Sequence, residues 1–107
     1  MNIHFDKDYL RELYEKGKSR DKQHRYQPVV VKNYQKCVKI LSTVLRIEDL
    51  FLFRSLRYEV LSGGKQGVSS VRINDQYRLE FIISTSDTSE EIVVTIYTLI
   101  DITNHYK

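Results

Sequence analysis

Arg72 and Arg78 stand on either side of a polar Asn74-Asp75-Gln76 tip, within the segment running from Gly67 to Phe81. The two flanking runs, Ser69-Ser70-Val71-Arg72-Ile73 and Tyr77-Arg78-Leu79-Glu80-Phe81, alternate in the manner of a β-hairpin. With Asp75 at the centre of the turn, Arg72 lies opposite Arg78 and Val71 lies opposite Leu79. Side chains alternate faces along a strand, so Val71, Ile73, Leu79 and Phe81 share a buried face and the two arginines share the other. Like charges directly opposed on a sheet are destabilising unless something compensates them. A pair of guanidinium groups on a rigid sheet is suited to gripping a phosphate through paired N–H bonds. The pattern predicts an anion site, with a nucleic-acid backbone as the anion.

The elements that must position this hairpin are legible on both sides of it. Residues 2–5 read as a short edge strand. Asp6 is expected to cap a first helix, with Asp8 in its first turn and Gly17 at its end. Tyr9, Leu10, Leu13 and Tyr14 fall on one face of that helix. Lys16 to Arg25 reads as a basic loop between helices. A second helix starts near Pro28, which suits the first helical position, and Val31, Tyr34, Val38, Leu41 and Leu45 form its buried stripe. Lys32, Lys36 and Lys39 lie on a neighbouring stripe, either a solvated face or an extension of a phosphate-facing surface. Ile47 to Phe53 is a short helical turn or a packed loop. Arg54 to Leu61 alternates loosely as a strand would, with Leu56 and Tyr58 facing away from Arg57 and Glu59. Gly63, Gly64 and Gly67 mark a flexible bend around Lys65. It lacks the spacing and the following helix of a Walker-type phosphate loop. Ser84 to Ser89 reads as a polar loop, and Ile92 to Ile102 as a long central strand. The sum is an α+β fold: an N-terminal two-helix hairpin packed on one face of a small twisted antiparallel sheet, with the other face free to bind.

The 107 residues are enough for one domain, 1–107, with one modest core. Hydrophobic residues at 41% and charged residues at 29% place the chain among ordinary globular proteins rather than disordered ones. No apolar run is long enough to span a bilayer, and the N-terminus lacks a signal-peptide core, so a cytoplasmic protein with no membrane partner is expected. A single cysteine, Cys37, excludes an internal disulfide and a Cys-rich zinc site, and reads as a small buried hydrophobe. No metal and no cofactor are expected. The net charge of +3 permits an RNA or DNA partner without demanding one. His4 and His24 read as structural or solvated.

Three features together resemble the RelE/ParE superfamily, most closely the HigB-type toxins of type II toxin–antitoxin systems. These are Tyr58-Glu59-Val60-Leu61-Ser62-Gly63, the hairpin from Ser70 through Arg78, and the tail around Asp101, His105 and Tyr106. HigB-like chains commonly end Asp-Tyr-His, where this one has Asn104-His105-Tyr106-Lys107. The resemblance implies a RelE/ParE-like fold and a toxin that cleaves mRNA at the ribosome's decoding centre. It also implies neutralisation by a cognate antitoxin, often of helix-turn-helix type, in a toxin–antitoxin hetero-oligomer.

RNA cleavage without a metal needs a base to help the 2′-hydroxyl attack phosphorus, cations to stabilise the added negative charge, and an acid for the departing 5′-oxygen. Arg72 and Arg78 supply the charge in this reading, with Lys65 assisting from the glycine bend. His105 is the natural proton carrier, since histidine titrates close to neutral pH, and Glu59 is a second candidate base. Tyr106 donates a hydrogen bond or stacks on a base. Two other readings use the same resemblance: a ParE-like toxin that binds DNA gyrase without cleaving RNA, and a degenerate member that only binds its antitoxin as a co-repressor.

Overall fold

The computed structural model describes residues 2–87 and 93–104. Strand β1 (Asn2–Phe5) leads into helix α1 (Asp8–Lys16), and helix α2 follows at Pro28–Thr43. Beyond α2 come β2 (Glu59–Val60), β3 (Ser69–Arg72), β4 (Tyr77–Asp87) and β5 (Val93–Asn104). The α+β class is as expected. Residues 2–5 form the expected edge strand ahead of the helices, but the sheet is mixed rather than purely antiparallel. Its order is β1-β5-β4-β3-β2, with β1 parallel to β5 and every other pair antiparallel. The reason for the parallel edge is apolar: Ile3 and Phe5 pack against the core while β1 satisfies the outer backbone groups of β5 from Ile96 to Leu99.

Local signals set the helix ends. Gly17 stops α1 in a left-handed conformation at φ 76, its N–H donating to the Leu13 carbonyl at 3.1 Å. Pro28 opens α2, where its missing N–H costs nothing. The start of α1 is one residue later than expected. The Asp6 N–H donates to the Leu99 carbonyl at 2.9 Å and so prolongs the strand pairing, leaving Lys7 at the cap without a side-chain bond.

The core lies between the helices and one sheet face. Val71, Leu79 and Phe81 are fully buried, and Ile73 nearly so, as the hairpin's alternation requires. Tyr34 is buried with its hydroxyl donating to the Leu10 carbonyl at 2.7 Å, and Gln35 donates to the Leu13 carbonyl at 3.1 Å, which ties α2 to α1. Burial pushes the Tyr34 phenol well above its ordinary range. Of the expected stripe on α2, Val31, Tyr34, Val38 and Leu41 are buried, but Leu45 is 85% exposed. The helix ends at Thr43 and Val44 adopts an extended backbone, so Val44 enters the core and Leu45 turns to solvent.

Two further expectations are corrected. Arg54 to Leu61 is not a continuous strand: a 3-10 turn spans Arg54–Leu56, and Arg57 adopts φ 46 before the two-residue β2. The facing survives nevertheless, with Leu56 buried and Arg57 and Glu59 exposed. Ser84 to Asp87 is strand rather than loop, because β4 pairs with β5 through to Asp87↔Val93. No helix among the described residues is long and apolar enough to cross a membrane.

Candidate functional site

The hairpin tip is held by Asn74, whose side-chain oxygen accepts from the Gln76 N–H at 2.9 Å and the Tyr77 N–H at 2.7 Å. This Asx arrangement fixes the register, and Val71↔Leu79 and Arg72↔Arg78 are opposed as the sequence predicts. The two arginine side chains then part. Arg72 bonds Asp75 through Nη2 and lines a cavity of about 200 Å³ beside Lys36, Cys37 and Ser55. β2 pairs only with Ser69 and Ser70, so among the described residues no strand covers the β3 edge beside Arg72. The hydrogen bond from Arg72, and then its charge, hold Asp75 below its ordinary carboxylate value.

Arg78 instead lines a larger cavity, about 460 Å³, with Glu59, Lys65, Ser70, Glu80 and Asp101. Strand alternation explains the grouping. Ser70, Arg78 and Glu80 point away from the face that buries Val71, Leu79 and Phe81, and Glu59↔Ser70↔Glu80↔Asp101 form one cross-strand row. A bulge at Glu80/Phe81 in the β4–β5 pairing lets Leu99 and Ile102 both reach the core and re-aims Asp101.

The charges in this cavity are not equivalent. Glu80 is 7% exposed and its Oε2 takes the Lys65 Nζ at 2.7 Å and the Thr103 hydroxyl at 3.4 Å. Asp101 pairs with Lys7 at 3.4 Å and accepts a short hydrogen bond from the Tyr9 hydroxyl. Arg78 Nη1 and Ser70 Oγ are buried and have no hydrogen-bond partner among the described residues. Buried donors are almost always satisfied, so two residues of one cavity that each keep a buried polar atom unpaired are chemically suited to acceptor oxygens. Among the described residues no cluster of three His, Cys, Asp or Glu side chains is arranged to hold a metal ion.

The connection between the helices braces the end of the sheet that carries this cavity. Tyr9 also accepts the Ile102 N–H at 2.9 Å, and the His24 ring stacks on it at 3.6 Å. Burial, then the bond to Asp101, pushes the Tyr9 phenol far above its ordinary value. Tyr26 meets Tyr77 edge-on at 5.1 Å, and burial pushes its phenol up to about 12.

The structure thus brings Glu59, Lys65 and Arg78 to one cavity and places Arg72 at another. Lys32, Lys36 and Lys39 are exposed on α2, and of these Lys36 borders the Arg72 cavity. His105 and Tyr106 lie outside the described residues, which end at Asn104. Sequence reasoning passed over Ser70 and Glu80 as site residues. The signal was available in the hairpin register, which sets both on the arginine face, but their burial and convergence need the neighbouring strands.

The chain matches the model of a family described as the RelE-like toxin of the type II toxin–antitoxin system HigB, over residues 3–99. It is 35% identical over 83 residues to Toxin HigB-1 of Vibrio cholerae, covering 76% of this chain and 82% of that protein. Its fold is similar to that of a YoeB/ParE toxin from Agrobacterium tumefaciens, at a TM-score of 0.61 and 16% identity over 99% of this chain and all of the other.

Proposed function

The chain belongs to the RelE-like, HigB-type toxins of type II toxin–antitoxin systems, and from that premise we propose that it is a ribosome-dependent mRNA endonuclease. Such a toxin implies a cognate antitoxin as partner. In this reading that antitoxin is of helix-turn-helix type, the hetero-oligomer forms in the cytoplasm, and the released toxin meets mRNA on the ribosome.

The observation that carries the reading is Arg78, which lines a cavity of about 460 Å³ and whose buried Nη1 has no hydrogen-bond partner among the described residues. A guanidinium group in that state favours an entering oxyanion, and phosphodiester oxygens fit its planar fork. Attack of the 2′-hydroxyl on phosphorus adds negative charge to the phosphoryl oxygens, which Arg78 stabilises. Arg72 and the exposed Lys32, Lys36 and Lys39 extend the cationic surface along which the flanking RNA runs. His105 carries a proton, with Glu59 the second candidate, and Tyr106 orients or stacks on the nucleotide. The ribosome positions the mRNA, so part of the orientation lies outside this chain.

Mapping mRNA ends by primer extension after brief induction tests the reading. New ends inside translated frames, absent with Arg78→Ala and absent when initiation is blocked, are expected. Growth arrest with intact transcripts would sink the nuclease reading and redirect attention to gyrase.

A further inference from the structure

Glu80 is the only charged residue in the buried class among the described residues. A carboxylate in that position is costly unless paired, and a buried ion pair is often no more stable than an apolar pair of the same size. Its partner Lys65 is a poor purely structural choice, since its own side chain is 55% exposed on the glycine bend. The surroundings suggest another use. Ser70 lies directly across from Glu80 on β3, and Arg78 lies two positions along β4 on the same face. Both residues line the same cavity as the carboxylate, and each carries a buried polar atom with no hydrogen-bond partner among the described residues. Two unpartnered donors call for phosphate oxygens, and a phosphate held there brings its neighbouring ribose hydroxyl to the one buried carboxylate. Glu59 lies a strand further out and is exposed.

We propose that Ser70 Oγ and Arg78 Nη1 hold the scissile phosphate of an RNA chain and that Glu80 is the general base that takes the 2′-hydroxyl proton. This rests on the nuclease reading and puts Glu80 and Lys65 in place of His105 and Glu59 as the groups that move protons. The step balances within the described residues. As the 2′-oxygen bonds to phosphorus, its proton passes to Glu80. As the bond from phosphorus to the 5′-oxygen breaks, Lys65 gives that oxygen a proton. The products are a 2′,3′-cyclic phosphate and a free 5′-hydroxyl. A proton crossing the 2.7 Å between Glu80 Oε2 and Lys65 Nζ then restores the original pair.

The test uses the purified full chain with ribosomes translating a defined mRNA, reading single-turnover cleavage, co-sedimentation with ribosomes, and the melting midpoint. E80Q keeps the side chain's size and its contact with Thr103, and is expected to cleave about 100-fold more slowly or worse with unchanged sedimentation. E80D keeps the charge for Lys65 and guards against a misfolded E80Q; withdrawing the carboxylate by one methylene should slow cleavage about tenfold or more. A wild type that cleaves, with either variant folded and within about threefold of it, overturns the role of Glu80 alone. Wild-type protein that leaves the mRNA whole overturns the nuclease reading and this proposal together.

Discussion

Replacing Arg78 with alanine should separate activity from stability, and the structure sets both magnitudes. Arg78 Nη1 is buried without a partner among the described residues, so the folded protein carries an unsatisfied donor that costs about 1–3 kcal/mol. The substitution removes that cost. Against this stands the lost burial of the aliphatic stem, about 0.8 kcal/mol for each methylene fully withdrawn from water. Arg78 is only half-buried, so the opposing terms come close to cancelling. Net stability should move by about 1 kcal/mol or less, equivalent to a shift of about 4–8 °C at most in a domain this small. Cleavage should fall far more, by about 100- to 1,000-fold, the usual loss when a donor to developing negative charge is removed. Thermal melting of the purified variant beside a single-turnover cleavage assay gives both numbers. A midpoint lowered by much more than about 8 °C would show that Arg78 holds the sheet together rather than an anion. Full cleavage with an unchanged midpoint would refute the phosphate grip outright.

Tyr9→Phe removes the hydroxyl that accepts the Ile102 N–H and bonds Asp101, and should lower stability by about 1–3 kcal/mol in chemical denaturation; an unchanged midpoint would mean that water replaces the phenol at no cost. Gly17→Ala should destabilise by about 1 kcal/mol through backbone strain alone, because φ is +76 while the nearest atom to an added Cβ, Gln35 Nε2, is at an ordinary 3.8 Å. A neutral result in the same assay would show that the turn relaxes. Asp75 is held below its ordinary value of 3.8 by Arg72, so its stabilising contribution is complete above that value and is lost as pH falls through the lower folded one. Asp75→Asn should therefore flatten the acid side of the stability–pH curve slightly, and a difference confined to neutral pH would contradict the assignment. Cys37 is buried, and burial pushes its thiol up to about 11, so the folded protein should resist a thiol reagent at pH 8 that labels it readily in denaturant. Rapid labelling of the native chain would show that α2 opens.

Features whose cause lies within a few residues could be read along the chain. Asn74 and the alternating runs fixed the hairpin register, Gly17 ended α1, Pro28 opened α2, and periodicity identified Tyr34, Val38 and Leu41 as core, because turns, caps and helical faces are set by local sterics and hydrogen bonds. The same locality placed Ser70, Arg72, Arg78 and Glu80 on one face. Other features depended on contacts between distant parts of the chain. β1 could join β5 in parallel only once the sheet left that edge open, and the same pairing through Asp6 delayed the start of α1. Leu45 left the core because the end of α2 gave that place to Val44. Arg72 and Arg78, opposed in register, reached different cavities because Asp75 caught one guanidinium group while the cross-strand row from Glu59 to Asp101 walled in the other. The register names which residues face the same way. Only the neighbouring strands, the bulge and the bend carrying Lys65 decide which of them are buried, which are paired, and which are left with a hydrogen bond to give.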